Sequence, residues 1–452
     1  MTVQQFFVKT ALACVLASAA VATWAQAPVM DLKQVYQAAL EQDATIRASR
    51  ATADSGRERL PQARAGLLPQ ISASAGRNNN NLDTTAPNIL GTPVTTNEKY
   101  LSDNKTLQLR QPLVNMQRWL QFQQAKSVVE EVEANLDRDL QNLVVRVAGV
   151  YFEALMADEQ LDLVLAQKKT YTALVDAAKK GLAAGSGTRT DIDDAQSRLD
   201  MAAAQELEAR QNQDLARRQL QLLVNQPVNQ IAKLNVAALQ LSAPMPANLD
   251  DWTRKAEQAS PEIRAMQARL DAARREVSKA QAGHLPTVDA VAQWSNSGSE
   301  NITRVNSRFE NKTIGLQLNI PLYSGGYVNS TIRQAVAEQT RAEESLEALR
   351  RDLGVRVHKE YRGVSEGVLR VRALEQAARS AEQMMKSTQM SLTAGSRTQL
   401  DVLNAQQQFT LALRDLAQAR LVYLLSKVRL ASLVGDDAMV SVEQVNGSLR
   451  VR

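Results

Sequence analysis

Cysteine occurs once in the 452 residues, at Cys14, and histidine only twice, at His284 and His358. One cysteine excludes a disulfide framework and a paired-thiol redox centre. Two distant histidines, with no carboxylate or cysteine motif beside them, give little support to a zinc site or an activated nucleophile. Gly185-Ser186-Gly187-Thr188 lacks the lysine and the spacing of a phosphate-binding loop. Met384, Met385 and Met390 suit helix packing better than copper ligation. The chain reads as no enzyme, with no cofactor and no metal. An excess of one charge is also missing: 53 Lys and Arg stand against 48 Asp and Glu, a net of +5. The basic residues are dispersed among acids, so nucleic acid is not an expected partner. Aromatics make up only 4%, and the 12 prolines and 19 glycines are clustered, which leaves room for very long helices.

The start of the chain reads differently. Lys9, the apolar run 11–21 and the small residues that follow form a signal peptide of residues 1–25. The run is short for a membrane span. Cleavage after Ala25 is expected, because Pro28 would sit just past a cut after Ala27. Ala11-Leu12-Ala13-Cys14 departs from a lipoprotein cleavage box at Ala11. Cys14 is lost with the leader, so the mature chain has no thiol.

What the sequence does contain, it contains twice. Residues 32–69 lie on 249–286 without a gap, with Ile46-Arg47-Ala48 on Ile263-Arg264-Ala265 and Leu68-Pro69 on Leu285-Pro286. Further along, Leu107-Gln108-Leu109 meets Leu316-Gln317-Leu318, and Tyr151 meets Tyr361. Gly185-Ser186-x-Thr188-x-x-Asp191 meets Gly395-Ser396-x-Thr398-x-x-Asp401. The repeat is too long for a solenoid unit. It divides the mature chain into a first structural repeat, 26–240, and a second, 241–452.

Each repeat reads helix, strand, loop, strand, very long helix, turn, return helix. The first helix starts near Asp43, or at Ser260-Pro261, and ends at Gly66 or Gly283. The period then becomes two. Ile71, Ala73 and Ala75, and Leu107 and Leu109, alternate with polar residues; Val288–Trp294 and Ile314–Ile320 repeat the pattern. Polar segments from Asn78 to Lys105 and from Ser295 to Lys312 read as loops. Tyr100, Trp119, Trp294, Phe309, Tyr323 and Tyr327 sit in or beside these strands; a lipid-boundary belt and ordinary strand packing account for them equally. From about Gln117 to Ala184 there is no proline, and about 68 helical residues would run roughly 100 Å. Leu136, Leu140, Leu143, Val147, Val150, Ala154, Ala157, Leu161 and Val164 keep a coiled-coil rhythm. It recurs from Leu346 to Ala378 with gaps at Arg350, Glu360 and Gly367. Pro227 to Asn248 links the repeats, with room for a short strand.

Four amphipathic strands cannot close a barrel, and an open sheet cannot face lipid. Three chains would supply twelve strands, with apolar side chains outward and a polar lumen. The fold class expected is therefore mainly α with a small β part. Duplicated long-helix hairpins would form a trimeric α-helical periplasmic tunnel, continued by a 12-stranded outer-membrane β-barrel with four strands per chain.

Ala282-Gly283-His284-Leu285-Pro286, Pro-Leu-Tyr-Ser-Gly-Gly over 321–326 and Ala-Gly-Ser-Arg-Thr-x-x-Asp-Val-Leu over 394–403, in this duplicated order, make the chain resemble the TolC family of outer-membrane efflux channels. The resemblance implies the exit duct of a tripartite efflux or type I secretion system. Such a duct is a homotrimer in outer-membrane lipid that docks to a periplasmic adaptor and an inner-membrane transporter, and passes toxic compounds or proteins outward. The alternative is a structural periplasmic coiled coil anchored to the envelope, which leaves the duplicated strand pairs without a purpose.

The resemblance places the turns at 185–188 and 395–398 at the periplasmic tip. Asp191 with Asp194, and Asp401 with Asn404, are three apart and share a helix face. Carboxylates converging in a trimer would form rings that favour cations. Equally, an aspartate after a threonine cap is favoured by the helix dipole whatever the function, and the residues alone leave both readings open. The resemblance implies a constriction at Asp401 and Asn404, where the family often has a second aspartate; Asp194 would compensate for Asn404. It also implies a gate-latching pair of Arg397 with Asp191, and adaptor contact at Gly185, Ser186, Gly395 and Ser396. The tyrosine that some members carry five residues before the arginine is Leu392 here.

Overall fold

The computed structural model describes residues 29–185, 187–300 and 307–450; the expected signal peptide and Cys14 lie outside them. The first half runs α1 (Leu32–Gln42), α2 (Ala44–Arg57), α3 (Arg59–Ala65), β1 (Gln70–Pro87), β2 (Pro93–Val114), α4 (Met116–Ala183), α5 (Arg189–Val224) and β3 (Lys233–Leu234). The second runs α6 (Leu249–Ala259), α7 (Pro261–Gln281), a 3-10 turn (Ala282–His284), β4 (Thr287–Ser299), β5 (Ser307–Asn319), α8 (Tyr327–Thr393), α9 (Gln399–Leu433), α10 (Ala438–Asn446) and β6 (Leu449–Arg450). Two compact units result, each drawing on both halves of the sequence. One comprises Ser49–Arg138 and Gln258–Asp352; the other comprises the residues up to Ala48, Asp139–Glu257 and Leu353–Arg452.

In the first unit the strands form one antiparallel sheet in the order β1-β2-β4-β5. Its register makes the faces legible. Ile71, Leu109, Ala292 and Ile314 share one row, and Ala73, Leu107, Trp294 and Lys312 the next. Paired residues point the same way, so these rows build one apolar face. The alternate rows, Ser72-Gln108-Gln293-Thr313 and Ser74-Thr106-Ser295-Asn311, build a polar face. There Arg110 donates to Asp289 from Nε (3.1 Å) and Nη2 (2.5 Å), and Asp289 is buried.

The strands are longer than their alternation predicts. Nearly all of the expected Asn78–Lys105 loop is strand, and so is most of 295–312; residues 301–306 lie outside the described set. Alternation fades there because little is buried to enforce it. The backbone ladder and polar pairs hold the ribbon instead: Thr85 with Thr95 at 2.7 Å, and Asn97 donating to Asn81 and Asp83.

The helix expected from Asp43 to Gly66 is two helices, because Pro61 has no N–H to continue the ladder through the break at Glu58. The carbonyl of Gly66, freed at the end of α3, accepts from Arg118 Nη1 at 2.7 Å. Behind this junction Gly56 faces Val132 so closely that an added Cβ would stand 2.7 and 2.8 Å from its two methyl carbons.

The second unit is helical. The expected rhythm of α4 is buried at Leu143, Val147, Ala154, Leu161 and Val164, and that of α8 at Leu353, Val357, Val364, Val371 and Ala378. On α5 the buried positions Ala195, Ala202, Ala209 and Ala216 recur every heptad, so small side chains let the backbones approach closely. The irregular positions of α8 have partners. Gly363 and Gly367 lie against Ser426 and Tyr423, and Glu360 is buried 3.8 Å from Arg429. Asp158 and Glu206 staple α4 to α5: Arg217 and Gln213 reach the former, Lys168 and Arg210 the latter.

Three short helices were absent from the expected order. α1 carries an Asp31–Gln34 capping box and buries Leu32, Val35, Tyr36 and Ala39. α6 is its counterpart in the second repeat. α10 returns the C-terminal segment onto α1, where Lys33 pairs with Glu443 at 2.7 Å. The link does contain a short strand, β3, paired with β6. Two repeat-related tyrosines anchor it: Tyr151 donates to the Ala232 carbonyl at 3.0 Å and Tyr361 to that of Ala247.

Replacing Gly56 by alanine should destabilise the protein by about 1–3 kcal/mol through overpacking on Val132, more than the roughly 1 kcal/mol an alanine adds to helix propensity. Denaturation of Gly56→Ala, Val132→Ala and the double variant checks this, with a favourable coupling between the two substitutions expected.

Candidate functional site: the paired helix turns

The two turns that reverse the long helices are built by the same local chemistry. α8 ends with Gly395 at φ +75°, in the left-handed region that glycine occupies without strain. The Gly395 amide donates to Leu392 and the Ser396 amide to Ser391, which satisfies the last carbonyls of the helix. Gly185 at φ +74° does the same for α4, donating to Leu182. Each turn then reaches a threonine N-cap. The Thr398 hydroxyl accepts from the Asp401 amide at 3.2 Å, and Asp401 Oδ2 accepts from the Thr398 amide at 3.0 Å and hydroxyl at 2.9 Å. Thr188 and Asp191 form the same box, at 3.2, 2.9 and 2.7 Å. The repeated Gly-Ser-x-Thr-x-x-Asp motif is thus a complete recipe for a helix reversal.

That geometry gives the cap reading of Asp191 and Asp401 real content. One oxygen of each carboxylate is engaged by its own threonine. The Thr398 amide, then its hydroxyl, then the Arg397 charge hold the Asp401 carboxyl below its ordinary range. Arg397 stands 3.9 Å from Asp401 in the same turn, and among the described residues no ion pair joins it to Asp191. Asp194 is half-buried, with no side-chain bond among the described residues.

Asn404 is held by a residue the sequence reading passed over. Arg198 of α5 donates from Nη2 to Asn404 Oδ1 and from Nη1 to Gln407 Oε1, both at 2.8 Å. The guanidinium therefore bridges the return helices of the two repeats. A second bridge runs from Gln399 Nε2 to the Leu174 carbonyl, 2.9 Å. Beneath them Tyr171, Leu174, Ala202, Val402 and Leu403 form a buried core onto which Leu199 and Leu392 pack. Leu392 is thus an apolar packing residue. Arg198 was findable: its repeat partner is Gln408, a charge difference one turn past the positions compared. Of the four expected tip residues, Gly185, Gly395 and Ser396 are exposed, and Ser186 lies outside the described residues.

Comparison with known proteins agrees with this architecture. The outer membrane efflux protein family matches residues 35–226 and 252–436. The alkaline protease secretion protein AprF of Pseudomonas aeruginosa is 33% identical over 92% of this chain and 88% of its own. The proteases secretion protein PrtF of Dickeya chrysanthemi is 31% identical over 90% and 89%. The crystal structure of the outer membrane protein VceC from Vibrio cholerae shares the fold with a TM-score of 0.75 at 18% identity, covering 90% of this chain and 96% of that one.

Removing the Thr398 hydroxyl in Thr398→Val should loosen the first turn of α9 by about 1 kcal/mol, with Thr398→Ser close to the native value. A carboxyl held low in the folded state stabilises above its unfolded pKa, near 3.9, and stops doing so as pH falls through its folded value. Asp401→Asn should therefore weaken that turn at neutral pH and match the native chain in acid. Amide hydrogen exchange of residues 399–403 measures both.

Proposed function

The chain belongs to the outer membrane efflux protein family, and from that membership we propose that three copies form one conduit whose cargo is a secreted polypeptide. As a family member the protein is an outer-membrane channel with a periplasmic extension, rather than an enzyme or a purely structural coiled coil. Residues 1–25 would direct it across the inner membrane, and the two repeats of each chain would lie as pseudo-equivalents around the axis.

The sheet carries the trimer reading. Among the described strands, β1 and β5 each pair on one side only, and their outer edges hold backbone groups that hydrocarbon cannot satisfy. Pairing β5 of one copy with β1 of the next closes twelve strands and leaves no edge. The apolar face then meets lipid and the Ser, Thr and Gln rows line the lumen. From the Trp294-Lys312 row to Ile320 is about 27 Å along the strand, against an apolar band of about 25 Å in outer-membrane barrels. Trp119, Tyr323 and Tyr327 are exposed just beyond the lower end and Trp294 stands at the upper one, which favours the lipid-belt reading of these aromatics.

The helix turns would face the periplasm. Asp194 supplies the unengaged carboxylate of each copy at the constriction, beside Asp191, Asp401 and the neutral Asn404. Arg397 would latch to Asp191 of a neighbouring copy. The exposed Gly185, Gly395 and Ser396, together with Ser186, would receive a periplasmic adaptor joined to an inner-membrane transporter. Polypeptide cargo is favoured because AprF and PrtF carry protease secretion in their names. A neutral Asn404 and an apolar Leu392 also leave fewer polar contacts to hold the tip shut.

The purified protein should migrate as a heat-sensitive trimer and conduct ions in planar bilayers; a monomer without conductance refutes the conduit. Arg397→Ala and Arg198→Ala should each raise closed-state conductance, and unchanged conductance in both would remove these residues from the gate. Deleting the gene should abolish export of a secreted protein; an intact secreted proteome with raised drug sensitivity would assign small-molecule efflux instead.

A further inference from the structure

Above the apolar band the sheet reverses its polarity. The face that carries Ile71, Ala73 and Ala75 continues as Arg77, Asn79, Asn81, Asp83 and Thr85 on β1, and as Asp103, Leu101, Lys99, Asn97 and Thr95 on β2, with Leu101 its one large apolar side chain there. Strand β5 adds Arg308, Glu310 and Lys312 to it. The opposite face, polar within the band, gains apolar side chains at these heights. Phe309 appears in the row of Gly76, Asn104 and Ser297, then Tyr100 opposite Asn80, Leu82 opposite Glu98, and Val94 opposite Ala86.

Among the described residues, the ribbon that carries them outruns its neighbours: the pairing of β4 with β5 is described up to the row of Asn78, Ser102, Ser299 and Ser307, while β1 and β2 stay paired to Pro87 and Pro93. Nine more residues per strand are about 30 Å. The turn at the top is ordered. Asn88 Oδ1 accepts from the amides of Leu90 and Thr92, the Asn88 amide donates to the Thr92 carbonyl, and Gly91 takes φ +78°. This frame holds Ile89 and Leu90 fully out in solvent, and Leu82, Val94 and Phe309 are exposed as well.

We propose that this ribbon is a contact between copies of the chain: the three ribbons lean toward the axis, and their inner faces, with Ile89 and Leu90, meet to narrow the outer mouth of the channel. The inference rests on the closed-barrel reading, which makes this the lumen side. Lipid is not the occupant, because the ribbon lies beyond the band and its lipid-side face is charged. A second copy fits because identical faces brought together around an axis must avoid like charge. The inner face of the ribbon past Asn78 carries a single ionisable carboxylate, Glu98, whereas Lys99, Asp83 and their neighbours all lie on the other face. β1, which bears Leu82, is also the edge strand that the barrel joins to the next copy, so the contact continues an interface the barrel already needs.

The mature chain has no cysteine, so single thiols can be placed at will. Leu82→Cys should crosslink copy to copy with a short bismaleimide on intact cells, and Thr85→Cys, on the outer face, should not. In a Ser74→Cys background, with the thiol in the lumen, replacing residues 80–100 by an Asn-Gly turn should speed labelling by a polymer-linked maleimide from outside severalfold. Labelling by a small maleimide should stay the same. If Leu82→Cys does not crosslink, or shortening leaves polymer labelling unchanged while the small reagent still reaches Ser74→Cys, the ribbon contact is wrong and the barrel stands. If no reagent reaches Ser74→Cys and no trimer is recovered, the barrel reading fails and the ribbon contact with it.

Discussion

A backbone N–H or C=O group in hydrocarbon has no water to turn to, and this governs how the chain is arranged. Each copy holds a four-stranded sheet with a lipid-suited face and two edges that pair on one side only. Neither edge is tolerable in a membrane until another strand covers it. On the trimer reading, the helices inherit this symmetry, and every long helix gains neighbours on two sides. The small residues recurring on α5 and the glycines on α8 already serve the seams within one chain, where Gly363 and Gly367 meet Ser426 and Tyr423.

The turns between long and return helices show how a duplicated design can carry asymmetric side chains. Both use the same left-handed glycine, the same threonine cap and the same aspartate box, so conformation is repeated almost atom for atom. The differences fall outside these shared elements, and at Gly187 an added Cβ would stand only 3.0 Å from the Leu182 amide. Gly187 against Arg397 lies inside the turn, Asp194 against Asn404 three positions past the box, and Arg198 against Gln408 one turn further. Arg198 spends its two donor groups on Asn404 and Gln407. Asn404 is thus a neutral side chain already tied to its own chain.

Some of this was legible residue by residue. The helix reversals follow from Gly395 and Thr398, the heptad seams from Val147 through Val164, and the sheet faces from Ile71 and Leu109. The long β1–β2 ribbon was not legible, because Asn78–Asn81 run as four polar residues with no alternation and no burial imposes a period of two there. The short helices α1 and α6 precede the start signals at Asp43 and Ser260-Pro261, which mark the second helix of each repeat. The Asp31–Gln34 box was the signal that would have found the first.

By itself the sequence determined the duplication, the alternation of the inner strands, the long coiled helices and the cap chemistry of the turns. Each of these is a local pattern or a comparison of the chain with itself. Only the tertiary structure decided which rows of the four strands share a face, how far β1 and β2 continue past their neighbours, and that Arg198 rather than a repeated residue meets Asn404. The pairing of β2 with β4 and the meeting of Arg198 with Asn404 join segments more than a hundred residues apart. No local period encodes such register; it is set when distant backbones pair and their side chains come to share one surface.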